Sequence, residues 1–315
     1  MPQSLKQTLD LPGLVVPPLT PFRADGGIDY PALATEVDYI LDQARPAVLA
    51  IAAVEAQEYQ FLSDHDRAKL IRSTADMVAK RVPILVGVSH PSIMKVKELC
   101  SLATEVGADA VQVLIPLRPS GGAASREELI KYFTAVAKST DVPMFAYHNP
   151  GPGAELGPAD LCALCRIPGV QACKESSRNL RHIGLTQSML PEDVLYFTTM
   201  EVLSASLDLG CAGGTMPPPG AVIGRKIIDA YRRGDYAEAK RYQRMFMAFP
   251  GPWMRYGLVA VMKAAMNAIG VPVGDHYPPF GQITEEDRAA ISDFVRNQLG
   301  LGNAETSHQA SGGRR

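Results

Sequence analysis

Val170-Gln171-Ala172-Cys173-Lys174-Glu175-Ser176-Ser177 reads as a buried strand that delivers one lysine at its C-terminal end, followed directly by polar residues able to start a helix. An ammonium in that position is partly desolvated, which favours the neutral amine, and a free amine can attack a carbonyl. Lys174 is therefore the first candidate catalytic residue. Cys173 faces the opposite side of the strand, because strand side chains alternate. Twenty-seven positions upstream, Val142-Pro143-Met144-Phe145-Ala146-Tyr147-His148-Asn149-Pro150 repeats the pattern, with the phenol of Tyr147 as its polar terminus. Adjacent strands would present an amine and a phenol on one rim. The same alternation turns His148 outward.

Working outward, strands are predicted at Leu14 to Pro17, Val48 to Ala53, Pro83 to Val88, Ala110 to Ile115, Pro143 to Tyr147, the Lys174 strand, Val194 to Thr198 and Cys211 to Met216. Between them lie helices at Tyr30 to Gln43, from the Ser63 cap to about Lys80, Ser92 to Val106, Ser125 to Ser139, Pro158 to Cys165, Asn179 to Met189, Glu201 to Leu209 and Pro217 to Arg232. Ser125 and Glu128 are spaced as a capping box. Runs buried on both faces and alternating with amphipathic helices mean a parallel sheet. Eight such units, without a glycine-rich phosphate turn after the first strand, fit a closed (β/α)8 TIM barrel of the α/β class better than an open sheet. Residues 1–12 form an N-terminal extension and 13–233 the barrel. A C-terminal helical subdomain covers 234–300, with helices at Tyr236 to Phe249, Trp253 to Ile269 and Thr284 to Leu299. Residues 301–315 are small and polar and read as a disordered tail.

The chain has 315 residues, of which 31 are basic and 33 acidic. A net charge of −2 and the lack of a basic stripe argue against a nucleic-acid partner. No apolar run approaches the ~18 residues of a membrane span, and the first dozen residues lack a secretory core, so a cytoplasmic protein is expected. The five cysteines lie in apolar segments and suggest no disulfide framework. Cys162 and Cys165 have no second pair to complete a zinc site. No His-x-x-His, Asp-x-Asp or histidine/carboxylate spacing argues for a catalytic metal, and none is expected.

Active sites of such barrels sit at the C-terminal ends of the strands. The polar residues there are Thr20, Glu55, Gln57, Glu58, Ser89, His90, Arg118, Tyr147, His148, Lys174, Thr198, Thr199 and Thr215.

Over about Gly13 to Leu299 the chain resembles the dihydrodipicolinate synthase/N-acetylneuraminate lyase superfamily of class I aldolases. The resemblance rests on Thr20-Pro21-Phe22, on Glu58 with Leu62-Ser63, and on Tyr147-His148-Asn149-Pro150. It rests further on Lys174-Glu175-Ser176-Ser177, Gly210 to Gly214, and Met262-Lys263-Ala264-Ala265-Met266. It implies a lyase, an aldolase or dehydratase acting on a 2-oxo acid such as pyruvate or a sugar-derived 2-oxo acid. Lys174 would form the imine, Tyr147 would shuttle protons, and Thr215 would frame the site. No cofactor is implied beyond the covalent imine. A homo-oligomer, dimer or tetramer, is implied as well.

Three departures stand out. Where members of the family carry Gly-Ser/Thr-Thr-Gly-Glu to hold the substrate carboxylate, this chain has Val54-Glu55-Ala56-Gln57-Glu58. Either the amides of Ala56 and Gln57 do that work with Glu55 turned away, or the substrate differs at that end. Pro116-Leu117-Arg118 replaces a tyrosine of the synthases' proton relay, and Pro152 replaces the arginine for their second substrate, which disfavours lysine biosynthesis. The expected substrate-binding residues are thus Glu55, Ala56, Gln57, Arg118 and Thr215. The rebuilt loop also motivates the alternative of an inactive barrel that binds or senses a small metabolite.

Overall fold

The computed structural model describes residues 4–118, 120 and 123–302. Eight parallel strands close a barrel, each paired with the next and the last with the first: β1 (Gly13–Val16), β2 (Val48–Ile51), β3 (Ile84–Gly87), β4 (Ala110–Leu114), β5 (Met144–His148), β6 (Val170–Glu175), β7 (Leu195–Thr199) and β8 (Gly213–Thr215). The expected TIM barrel is therefore what the chain forms. Closure uses glycine: Gly213 has φ of 146° opposite Gly13, and a side chain there would drive into the Gly13 carbonyl.

Outside the barrel run α2 (Tyr30–Tyr39), α3 (Asp64–Val78), α4 (Ile93–Glu105), α5 (Arg126–Ala137), α6 (Pro158–Cys165), α7 (Leu180–Met189), α8 (Leu203–Asp208) and α9 (Gly220–Arg232). Their starts follow from the sequence. Ser63, Asn179 and Asp29 cap α3, α7 and α2, and Ser125 with Glu128 forms a complete capping box on α5. The expected helix ending at Gln43 widens into a π turn at Ile40–Ala44 before Arg45 adopts a left-handed conformation. All five cysteines are free and buried. Cys173 packs between sheet and helices, on the face opposite Lys174.

The segment before β1 contains α1 (Leu5–Thr8). Its Leu5 and the following Leu9 join the cluster inside the barrel, with Val15, Ala50, Leu85, Ala172 and Phe197. The Leu5 N–H donates to Gln171 Oε1 at 2.9 Å. This apolar plug seals the N-terminal end of the barrel, and Phe145 stacked on Phe197 (5.7 Å between ring centres) fills the interior. Burial of each leucine contributes about 1.5–3 kcal/mol.

After the barrel come α10 (Tyr236–Met247), α11 (Leu258–Ala268) and α12 (Glu285–Asp293), the last continued by a π turn at Phe294–Gln298. The helix expected from Trp253 is interrupted: a 3-10 turn (Gly251–Tyr256) ends at Gly257, whose φ of 87° and ψ of 149° redirect the chain before α11. Leu301, read from sequence as tail, is buried and donates its N–H to the Val295 carbonyl at 3.1 Å. The rest of the expected tail from residue 303 lies outside the described residues.

Candidate active site

β5 and β6 pair so that Tyr147 lies opposite Lys174. Alternation puts both side chains inside the barrel, where the Lys174 Nζ stands 3.9 Å from the centre of the Tyr147 ring. Lys174 opens onto a cavity of about 640 Å³ at the C-terminal mouth of the barrel. Glu55, Ala56, Asn149, Thr199 and Thr215 share its wall. The hydroxyls of Thr199 and Thr215 are buried without a protein partner, so each keeps a donor and acceptors for a ligand.

Tyr147 itself is 1% exposed, below the cavity surface. Its hydroxyl accepts a hydrogen bond from Asn149 Nδ2 at 2.7 Å, and the same amide nitrogen donates to Glu55 Oε2 at 3.3 Å. Glu55 therefore faces the cavity, tied to the tyrosine through one asparagine. Asn149 is not among the site residues that the strand ends point to. Its signal is the strand period: two positions after Tyr147, it continues the inward row.

Two expected binding residues stand elsewhere. Gln57 is fully buried; its Oε1 accepts from the Ala52 N–H and its carbonyl accepts from the Thr20 hydroxyl at 2.6 Å. It ties the rebuilt loop to β2 and does not line the cavity. Arg118 is exposed and donates to Glu128 in the first turn of α5 at 2.6 Å, holding that carboxyl well down at about 2. Its charge completes a helix start and lies away from the cavity wall.

The outer wall comes from parts of the chain that strand-end reasoning does not reach. Met254, Leu258 and Val259, around the Gly257 break, supply an apolar side. Arg178, left-handed at φ 58°, pairs with Glu201 at 2.8 Å on the opposite rim. Glu58, at the end of the rebuilt loop, is buried and meets Lys263 of α11 at 2.5 Å. Lys263 also donates to the Asp275 carbonyl at 2.9 Å. Burial pulls the Lys263 amine down, and Glu58 resists that shift. This buried pair fastens the loop to the helix that carries the apolar wall.

Behind the site, on the outer face of the sheet, the His148 Nδ1 meets Glu175 Oε2 at 2.8 Å, with His182 Nε2 at 3.0 Å and the Tyr196 hydroxyl at 3.2 Å from the same oxygen. His148 is outward, as alternation requires. The histidine/carboxylate grouping is one that sequence spacing does not display, because His182 comes from α7. Three such groups can hold a metal, but the Leu156 N–H donates to His148 Nε2 at 3.0 Å. The ring hydrogen is thereby assigned to Nδ1, which leaves that nitrogen no lone pair for an ion. Burial opposes ionisation of Glu175, yet the bonds from His148 and from the Ser177 N–H outweigh it and hold the carboxyl below its usual value. The cluster clamps β5, β6, β7 and α7 at the residues flanking Tyr147 and Lys174.

The family model described as the Dihydrodipicolinate synthetase family matches residues 10–298. The chain belongs to this family. Among curated relatives, it is 29% identical to an uncharacterized DapA-like lyase of Halobacterium salinarum, over 93% of this chain and 95% of that one. It is 28% identical to the “Putative 2-dehydro-3-deoxy-D-gluconate aldolase YagE” of Escherichia coli, over 96% and 100%. The crystal structure of YagE in complex with pyruvate superposes with a TM-score of 0.82 at 26% identity, covering 92% of this chain and 98% of that one. Dihydrodipicolinate synthetase family members are lyases, and this chain has their fold. Among the described residues, no helix is long and apolar enough to cross a membrane.

Proposed function

We propose that the chain is an imine-forming lyase, an aldolase or dehydratase that acts on a 2-oxo acid such as pyruvate or a sugar-derived 2-oxo acid. The carrying observation is the inward Lys174 at the end of β6, open to the cavity and packed on the ring of Tyr147. In this reading the Lys174 amine adds to the substrate's carbonyl carbon, the oxygen leaves as water, and the protonated imine remains. The imine nitrogen then accepts the electron pair of a bond on the neighbouring carbon. When that bond is C–H the proton leaves to a base and an enamine forms; when it is C–C the hydroxyl on the departing carbon gives its proton to a base, that fragment leaves as an aldehyde, and the enamine remains. Tyr147 serves as the acid/base group, and Thr215 with the Ala56 amide frames the carboxylate end. The pyruvate complex of YagE and the aldolase name given to that relative support a 2-oxo acid. A cavity of about 640 Å³ suits more than a three-carbon acid, which favours a longer carbon chain lying against Met254 and Leu258.

The test is borohydride reduction with pyruvate and a panel of 2-oxo acids, followed by peptide mass. The expected result is a reduced adduct on Lys174 with at least one compound, absent in Lys174→Ala. A folded protein that traps none of them would refute the imine. A Lys174 adduct that never turns over would instead support the metabolite-binding reading, which the replaced hydroxyls of the β2 loop motivate.

A further inference from the structure

We propose that Asn149 is the positioning residue for Tyr147, and that Glu55 is what holds Asn149 in its working orientation; this rests on the imine reading above. An asparagine amide has two ends of nearly equal shape, so its neighbours decide which end faces which group. Here all three neighbours agree. The Gly151 N–H donates to Asn149 Oδ1 at 3.3 Å, which requires the oxygen at that end. Glu55 offers an acceptor at 3.3 Å from Nδ2, which requires the nitrogen at the other. The remaining N–H donates to the Tyr147 oxygen at 2.7 Å.

The consequence for proton transfer is specific. Because the phenol oxygen accepts from Asn149, the phenol's own hydrogen is not spent on its neighbour and stays available to a reacting group. When that hydrogen leaves, the oxygen that remains still has an N–H aimed at it. With the amide reversed, Asn149 Oδ1 would accept the phenol's hydrogen and hold it, and an oxygen would face the Glu55 carboxylate. Glu55 thus acts on the reaction through Asn149, without touching the reacting atoms. The replacement of a hydroxyl residue by Glu55 and the presence of Asn149 are two halves of one device, although 94 positions separate them. It also accounts for a carboxylate in a cavity proposed to hold a carboxylate: the amide draws Glu55 toward Tyr147.

The experiment separates imine formation from proton transfer in the full chain. Imine formation is read by borohydride trapping of pyruvate on Lys174. Proton transfer is read by loss of the pyruvate methyl signal in deuterated water, since each passage from imine to enamine and back exchanges one proton. Asn149→Asp keeps the shape and replaces the donor by an acceptor. It should trap pyruvate as the wild type does and exchange it at least ~10-fold more slowly. Glu55→Leu, which removes the orienting acceptor, should show the same split, and the double variant should be no slower than Asn149→Asp alone, because the two residues act as one unit. Exchange within twofold of wild type in folded Asn149→Asp would overturn the proposal. Parallel loss of trapping and exchange in both single variants would overturn it too, by showing a merely structural role. If the wild type traps none of the 2-oxo acids, the imine reading falls first, and this inference with it; if it traps another acid but not pyruvate, both readouts are taken with that acid.

Discussion

Tyr147 gives its ring to Lys174 and its hydroxyl to Asn149, so substitutions can separate packing from chemistry. Tyr147→Phe keeps the ring under the amine and deletes only the hydroxyl. It should leave an adduct trappable on Lys174 while lowering kcat by about 10²–10⁴-fold with the best-trapped substrate; a kcat within threefold of wild type would remove Tyr147 from the mechanism. At this scale the sequence is informative wherever a strand's period decides the matter. It places Lys174 and Tyr147 inside, and Cys173 and His148 outside. It is silent where a contact joins distant segments. Nothing near Arg118 in the β4 loop shows that its partner is Glu128, and nothing near Glu55 shows Asn149.

Among the elements, α11 has the least expected role. Helices after a complete barrel read as an appendage, yet α11 carries Leu258 and Val259 to the cavity wall and Lys263 to Glu58. Both members of that pair are almost fully buried, so removing one strands the other's charge. Lys263→Met should destabilise the protein by about 3–5 kcal/mol in denaturant titration, and the double variant with Glu58→Leu should recover at least half of that loss. Additive losses would show that the two side chains do not depend on each other. The helix break at Gly257 explains why this wall is hard to read in advance. The apolar pattern continues through Trp253 to Ile269, and only the backbone angles at one glycine show that the first turn is separate.

For the whole molecule, one buried acid should make stability fall as pH rises from the acid range. Glu36 of α2 is completely buried and accepts from the Leu19 N–H at 2.8 Å, while its other oxygen has no partner. Burial pushes its carboxyl up to about 8. The unfolded chain loses that proton near the ordinary value of 4.5, whereas the folded chain keeps it until about 8, so stability falls as pH rises across that window. Glu36→Gln keeps the acceptor for Leu19 and has no proton to lose. Its advantage over wild type should be negligible near pH 4 and grow to roughly 2–5 kcal/mol at pH 8. Melting curves at the two pH values check this; an advantage that stays constant with pH would refute it. The barrel as a whole is legible because its signal repeats eight times, so a one- or two-residue error at any strand end leaves the topology unchanged.

The plug at the N-terminal end of the barrel has a consequence for how the chain reaches this state. Leu5 is bonded to Gln171, and Arg232 at the end of α9 pairs with Asp10 and donates to the Pro12 carbonyl. This segment thus has its docking partners much later in the chain. During synthesis Leu5 and Leu9 must wait, uncovered, until β6 and then α9 emerge. A nascent chain halted before Gln171 would hold this apolar segment uncovered, which makes it a natural place for a chaperone to recognise an unfinished barrel.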